Sequence, residues 1–556
     1  MPTTVETNAA TASAAIAVFE EAIIGTTPTI AALPDESRSA HATRCLASKG
    51  NMALSISFKA PGGDILFAKA YGIRRNASGL AAALEKDPKD VEIPIPDFCS
   101  TPELVAEWKE WQLSVREQIL ADSVADTDEF VGYDVEKPVS VETVFQAASI
   151  SKALSAVAVM RLVQKGLLDI DADINQYLEK GDWKLNADFP AGILPTQATT
   201  IRKLLGHAAG TSVSGFGGYR RNEVKAEKVV VPSTAGVLKG EGNSGKVEIS
   251  SLPSLVSQYS GGGTTVVQHI VELVTGKPFY QVLHEEVFEP LGMKNSSAGM
   301  QDSPNAGDFV CAHCGPEGLP APGGYNIYPE TAAAGVWTTA TDLNKASDAV
   351  FKSLHGVSVD GSVYLSQELT RDMLAQRFPS ASKNVAYGVG WGLKNINGSF
   401  LFSHTGGNEG FRSICRSFAD SGAGFSWLLS GEEMDQVEVG VNAVLKFLEL
   451  PIDAEEPKDK KTVKVEYPAS IAQCCGEYVA ENPLNHGREI RVQASDEPNE
   501  LLFTFDSLSG PISKKPKGVE GEEAFTFELL PRLDVTFTVV DGKEILSWSG
   551  HVFNKI

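Results

Sequence analysis

Ser149 and Lys152 stand three residues apart in Ser149-Ile-Ser-Lys152, where the segment 143–148 gives way to an apolar run. Residues three apart share one face of a helix, so the hydroxyl and the ammonium can meet. A lysine among apolar side chains holds its proton poorly, because burial disfavours charge, and a neutral amine can draw the proton of a neighbouring hydroxyl. This is the chemistry of a serine nucleophile. Taken alone, the same four residues also fit a capping serine with a solvated lysine.

Two further groups carry suitable residue types. Tyr259-Ser260-Gly261-Gly262-Gly263 precedes a helical pattern that begins near Thr264. Glycine lets backbone approach a ligand and lets a tyrosine project from a tight loop, although an ordinary glycine-rich turn reads the same way. Ser403-His404-Thr405-Gly406-Gly407 follows apolar Leu401-Phe402. A strand edge ending in glycine can offer a backbone N–H to a developing oxyanion, or simply leave the sheet. Cys311-Ala-His313-Cys314 lacks the second Cys/His pair that a four-ligand zinc site requires, so neither a metal nor any other cofactor is expected. His207, at the end of a helical pattern over 200–207, reads as structural.

The elements that must position these groups follow from periodicity. Residues 149–165 form a nearly all-round apolar helix, with Leu154, Val157, Val159, Met160 and Leu162, which belongs in a core. Helical patterns recur at 16–24, 200–207, 264–275 and 279–288, while 400–404 and 424–429 read as buried strands. Alternation over 53–58 and 65–70 around Pro61-Gly-Gly63 predicts a hairpin. An insertion over about 85–125 carries Trp108 and Trp111 on an amphipathic stretch. Pro- and charge-rich 451–467 reads as a linker between a domain over 1–450 and a second over 468–556. Short alternating strands at 476–479, 489–493, 501–505, 524–529, 535–539 and 545–548 predict a small antiparallel barrel or sandwich in the latter.

Length and composition set the bounds. A chain of 556 residues is too long for one ordinary core. Its 42% hydrophobic and 21% charged residues are those of a folded protein. The net charge of −23, from 71 acidic against 48 basic residues, repels phosphate backbones and anionic lipid, so neither nucleic acid nor membrane is expected as a partner. Seven scattered cysteines do not read as a disulfide framework, and residues 1–15 lack the pattern of a secretory signal, so a cytoplasmic location is expected.

In this order, the three groups resemble the motifs S-x-x-K, Y-x-N and K-T-G or H-T-G of the β-lactamase and penicillin-binding-protein superfamily. Pro138 to Ser149, Thr200 to His207, Gly276-Lys-Pro278, Phe288 to Met293 and Gly335 to Asp342 are similar to its other recurring segments, so the resemblance runs from about Met52 to Leu448. It looks closest to the class C branch, several members of which carry a C-terminal lipocalin-like barrel. The resemblance implies an α+β fold: an antiparallel sheet flanked by helices, an all-α lobe, and the active site at their junction. It assigns Ser149 as the acylated nucleophile, Lys152 and Tyr259 as its proton-handling partners, and the backbone N–H groups of Ser149 and Gly407 as the oxyanion hole. His404, Thr405, Gly406 and Gly261 then line the substrate site. Two departures stand out: Gly261 replaces the amide of Y-x-N, and His404 replaces the lysine of K-T-G, a fixed cation exchanged for a titrating one. The first leaves the work of that amide to water or another side chain; the second shifts the expected substrate from β-lactams to esters and small amides of a small molecule or short peptide. Acyl transfer or cyclisation in a small-molecule pathway would use the same acyl-serine, and a non-catalytic binding protein is the reading from a different class. Oligomeric state is not legible.

Overall fold

The structure, a computed structural model, describes residues 9–85, 136–181, 183–185, 199–250, 257–299, 308–376, 378–379 and 385–452, positions scattered through 102–120, and, further on, 465–466, 474–480, 489–494, 500–505, 508–514, 525–530, 533–540, 543–548 and 551–555. Eight of its strands are β1 (Ala53–Lys59), β2 (Ile65–Gly72), β3 (Phe378–Pro379), β4 (Val385–Tyr387), β5 (Gly392–Ile396), β6 (Ser399–Asn408), β7 (Phe411–Phe418) and β8 (Gly424–Ser430). They form one antiparallel sheet in the order β3-β4-β5-β6-β7-β8-β1-β2. The expected hairpin is β1 and β2, paired from Ala53 opposite Gly72 to Lys59 opposite Ile65.

Strand β1 shows why the sheet takes helices on both faces. Leu54, Ile56 and Phe58 alternate with Ser55, Ser57 and Lys59, and all six are buried. Because side chains alternate across a strand, the apolar set and the hydroxyl set face opposite ways. The apolar set packs with Phe19 and Ile23 of helix Ala9–Gly25 and with Val437 and Val444 of helix Asp435–Phe447. Each such side chain contributes about 1.5–3 kcal/mol on burial. The polar set meets helix Ala340–Leu354, where Asn344 Nδ2 donates to the carbonyl of Ser57 (3.0 Å) and Ser426 Oγ donates to Asn344 Oδ1 (2.9 Å).

Beyond that helix lies the helical lobe, built on helix Ile150–Gln164 and helix Gly261–Thr275. Twelve of the fifteen residues of helix Ile150–Gln164 are buried, as its all-round apolar pattern requires. Helix Phe279–Leu283 continues into a π-helical turn, His284–Phe288.

Three details differ from the sequence reading. Helix Gly261–Thr275 begins at the first glycine rather than near Thr264, because Ser260 caps it by accepting from the N–H of Gly263 (2.9 Å). The Ser403–Gly407 motif lies within β6, not beyond its end: Gly407 still pairs with Arg412. The expected linker includes strand Val465–Glu466, which pairs with strand Leu533–Val540; the rest of 453–473 lies outside the described residues. Most of the insertion over 85–125 does so too, although Arg116 within it donates to Glu317 Oε2 (2.6 Å) and to the carbonyl of Ala83 (2.8 Å).

All six expected C-terminal strands are present, joined by Leu508–Lys514 and His551–Lys555. Each is antiparallel to its neighbour in the chain. The first also pairs with the last, Tyr478 opposite Lys555, so the ladder returns on itself. His313, from the cysteine cluster, has both ring nitrogens engaged: its Nε2 accepts from the N–H of Asn76 (3.1 Å), and its Nδ1 lies 2.7 Å from Ser430 Oγ. Among the described residues, no helix is long and apolar enough to cross a membrane.

Candidate active site

The chain reaches Ser149 through a strained turn. Ala148 has φ of 48°, a left-handed conformation that costs a residue with a side chain about 1 kcal/mol or more, and helix Ile150–Gln164 begins immediately after Ser149. Three bonds fix the turn: the N–H of Ala147 donates to the carbonyl of Val336 (2.8 Å), Ser151 Oγ to that of Ala148 (2.6 Å), and Ser413 Oγ to that of Ala147 (2.8 Å). Ser149 itself is half-buried, open on one side.

One helical turn on, Lys152 is only 2% exposed. Its Nζ lies 3.0 Å from Ser149 Oγ and donates to the carbonyl of Ala333 (2.9 Å). Burial pushes the ammonium down to about 7, with the nearby Glu330 carboxylate acting in the opposite direction. A neutral amine is therefore accessible near neutrality, within reach of the hydroxyl. Tyr259 arrives from the segment just before the N-cap of helix Gly261–Thr275: Lys152 Nζ sits 5.0 Å from its ring centroid, and its phenol hydrogen-bonds Ser149. Burial pushes that phenol up to about 12 despite the bond to Ser149. At neutral pH Tyr259 keeps its proton.

The third motif closes the site from the sheet. A Cβ on Gly406 would stand 2.4 Å from the carbonyl oxygen of Ala147 and 2.3 Å from Ser413 Oγ, so only glycine lets β6 pass this close to the turn before Ser149. Thr405 and Gly407 are exposed on the strand, while His404 is 7% exposed. His404 Nδ1 lies 2.6 Å from the carbonyl of Thr405, which requires the Nδ1–H tautomer. Burial, then the charge of Lys152, hold the ring down to about 4 against that bond, so His404 is a neutral imidazole.

His207 also reaches the site, as a support. Its ring packs 4.4 Å from that of Tyr259 and edge-on to Tyr387 of β4 (4.9 Å), and its Nδ1 accepts from the N–H of Ser260 (3.3 Å). Burial, followed by the charges of Lys152 and His404, keeps it well below the usual histidine range. Gly261, in the place of the missing amide, has its own neighbour: a Cβ there would stand 2.8 Å from Phe216 Cε2.

The structure thus brings Ser149, Lys152, Tyr259, His404 and Gly406 to one place, with Thr405, Gly407 and Gly261 adjoining. Sequence reasoning missed the side chains that lace it. Asn408 Nδ2 donates to Gln146 Oε1 (2.7 Å) and Gln146 Nε2 to the carbonyl of Asn326 (2.8 Å), tying the end of β6 to the approach to Ser149. Gln268 Oε1 accepts from the N–H of Ala332 (2.9 Å), and Gln268 Nε2 donates to the carbonyl of Pro329 (3.0 Å). Glu330 is fully buried beside them. Its one sequence signal was an acidic residue next to the apolar run Ala332 to Trp337.

The chain is similar to known proteins of one superfamily. The family described as Beta-lactamase matches residues 116–446. Penicillin-binding protein 4 of Amycolatopsis lactamdurans is 26% identical over 308 residues, 53% of this chain and 74% of that protein. The unguisins hydrolase ungD' of Aspergillus campestris is 24% identical over 283 residues, 49% of this chain and 50% of its own length. Among solved structures, the octameric penicillin-binding protein homologue from Pyrococcus abyssi shares the fold, with a TM-score of 0.52 at 17% identity, over 92% of this chain and 97% of the other. Matched over more than half of its length, this chain belongs to the Beta-lactamase family and is an enzyme of that superfamily of serine hydrolases.

Proposed function

We propose that the protein cleaves an ester or amide bond of a small molecule or short peptide through an acyl-enzyme on Ser149. The observation that carries this reading is the 3.0 Å approach of Lys152 Nζ to Ser149 Oγ, with the phenol of Tyr259 bonded to the same hydroxyl. Above pH about 7 the amine of Lys152 is available as a base. As Oγ attacks the carbonyl carbon, its proton passes to Nζ, and Tyr259 relays a proton to the departing group. The same pair then activates the water that releases the acyl group. The backbone N–H groups of Ser149 and Gly407 meet the developing oxyanion.

Neutral His404 offers Nε2 as an acceptor instead of the fixed cation that a substrate carboxylate needs, which favours uncharged esters and amides. Transfer of the acyl group to an alcohol or amine shares the intermediate; the name of the fungal relative, a hydrolase, supports water as the acceptor. Product analysis with added nucleophiles separates the two. A fluorophosphonate probe is expected to label the wild type and to leave Ser149→Ala unlabelled; equal labelling of both overturns the site assignment.

The catalytic domain spans 1–450 and a lipocalin-like barrel 468–556, supported by the ladder that returns on itself. A cytosolic location is supported by the free, buried thiols of Cys45, Cys314 and Cys415.

A further inference from the structure

The segment Pro329 to Ala334 is gripped by both helices of the site. From helix Ile150–Gln164, Lys152 Nζ bonds the carbonyl of Ala333 (2.9 Å) and Ser155 Oγ that of Ala332 (3.0 Å). From helix Gly261–Thr275, Gln268 holds the carbonyl of Pro329 and the N–H of Ala332. Glu330 caps the turn Thr331–Ala334 with its backbone carbonyl, which accepts from the N–H groups of Ala333 and Ala334 (2.9 Å each). Its side chain is fully buried, and neither carboxylate oxygen has a hydrogen-bond partner elsewhere among the described residues. An uncompensated buried carboxylate is among the costliest groups a protein can hold. The titratable groups that face it are Lys152 from the serine helix, Tyr219 from strand Tyr219–Arg220, and Tyr328 from its own segment. Lys152 alone among them can carry a positive charge.

We infer that Glu330 is the counter-charge of the active site, a positioning residue whose carboxylate stabilises Lys152 as the ammonium it becomes on taking the Ser149 proton. The inference rests on the proposed role of Lys152 as base. In the acylation step the Ser149 O–H bond breaks and an N–H bond forms on Lys152. The oxygen pair bonds the substrate carbonyl carbon, and the carbonyl π pair moves onto its oxygen. A cation is thereby created on a side chain that is only 2% exposed, and a nearby carboxylate lowers the cost of making it. Burial pushes the Glu330 carboxyl up to about 7, with its own backbone N–H and Lys152 pulling down, so the two groups titrate in the same range. Pro329 and Thr331, its chain neighbours, line a cavity of about 460 Å³ together with Gln268 and Glu272 of helix Gly261–Thr275; the cavity plays no part here.

The test is the pH profile of fluorophosphonate labelling in the full-length protein, which needs no knowledge of the substrate. Glu330→Gln removes the charge and keeps the shape. Lys152 then holds its proton less well, so the midpoint of the rising limb moves to lower pH by about one unit, a tenfold change in proton affinity, and the plateau rate falls. Glu330→Asp restores the wild-type midpoint. Thermal unfolding of the same samples shows which variants are folded, and Glu330→Ala serves if the glutamine variant is not. An unmoved midpoint, or a shift to higher pH, in a folded variant overturns the inference while leaving Ser149 as the nucleophile. Failure of both variants to fold overturns it by making Glu330 a structural requirement. Absence of labelling in the wild type overturns the parent reading instead.

Discussion

Among the described residues two lysines are buried beside serine hydroxyls, and one of them stands in the candidate site. Lys59, on β1, is fully buried and donates to Ser347 Oγ (2.9 Å) and Ser417 Oγ (3.1 Å). Burial pushes it down to about 8, with Asp348 acting in the opposite direction. By proximity and proton affinity it matches Lys152 closely. What differs is the surroundings of the hydroxyl. Ser347 and Ser417 are sealed between the sheet and helix Ala340–Leu354, and each donates to a backbone carbonyl, of Asn344 and of Ala423. Ser149 is half-exposed, projects from a left-handed turn, and shares its hydroxyl with a tyrosine from the segment that leads into a second helix. A serine next to a depressed lysine is a common structural device. Access, a second proton carrier and a strand edge beside the hydroxyl turn it into a candidate nucleophile.

The comparison can be broken most sharply at the lysines themselves. Lys152→Met is expected to lower the labelling or turnover rate by about 10³- to 10⁴-fold, the range for a lost general base. In the wild type, Lys152 must be neutral to act, so the rate rises with pH and reaches half its plateau near pH 7, where the ammonium gives up its proton. A pH-independent rate between 5 and 9 would remove Lys152 from the mechanism. Tyr259→Phe keeps the ring against His207 and removes the proton carrier; a loss of about 10²-fold is expected, with the melting temperature nearly unchanged. Equal rates for wild type and Tyr259→Phe would reduce the tyrosine to packing.

Gly261→Asn, which restores the amide of the family's second motif, is expected to impair rather than improve the enzyme. Its Cβ would meet the Phe216 ring at 2.8 Å, so the helix start or the ring must shift, at about 1–3 kcal/mol. Pairing it with Phe216→Ala should recover part of that stability in thermal unfolding; no recovery means that the ring is not the obstacle. The smallest effect belongs to Lys59→Met. Ser347 and Ser417 keep their own carbonyl partners, so stability should change by no more than about 1 kcal/mol and the labelling rate not at all. A large loss of activity there would erase the distinction between the two lysines.

Much of this site could be read from residue types in order. Ser149 and Lys152 share one helix start, while Tyr259 and His404 come from two other places in the chain, and the motifs were legible because each sits where a helix starts or a strand runs. Less legible was how the glycines serve. Gly261 looked like loop, yet it occupies the first turn of a helix whose amides dock on the segment 213–214, the N–H of Gly261 on the carbonyl of Ser214 and that of Gly262 on the carbonyl of Val213. Gly406 looked like the end of a strand, whereas its neighbour across the sheet and the turn before Ser149 both demand an absent side chain. Glu330 and Phe216 carry no periodic signal at all. Their importance arises from tertiary neighbours far off in the chain, which propensity and spacing do not encode. The C-terminal strands showed clearly by alternation except Leu508–Lys514, where Pro511 and Gly510 weaken the pattern, and the short closing strand His551–Lys555.

The account depends on acyl chemistry at one hydroxyl out of many, so the most direct measurement is the mass of the protein after exposure to a mixed panel of esters, thioesters and D-amino-acid amides, followed by peptide mapping. A single added acyl mass on the peptide containing Ser149, absent in Ser149→Ala and slowed in Lys152→Met, is the expected result. An adduct on another residue, or one that persists undiminished in Ser149→Ala, would contradict it.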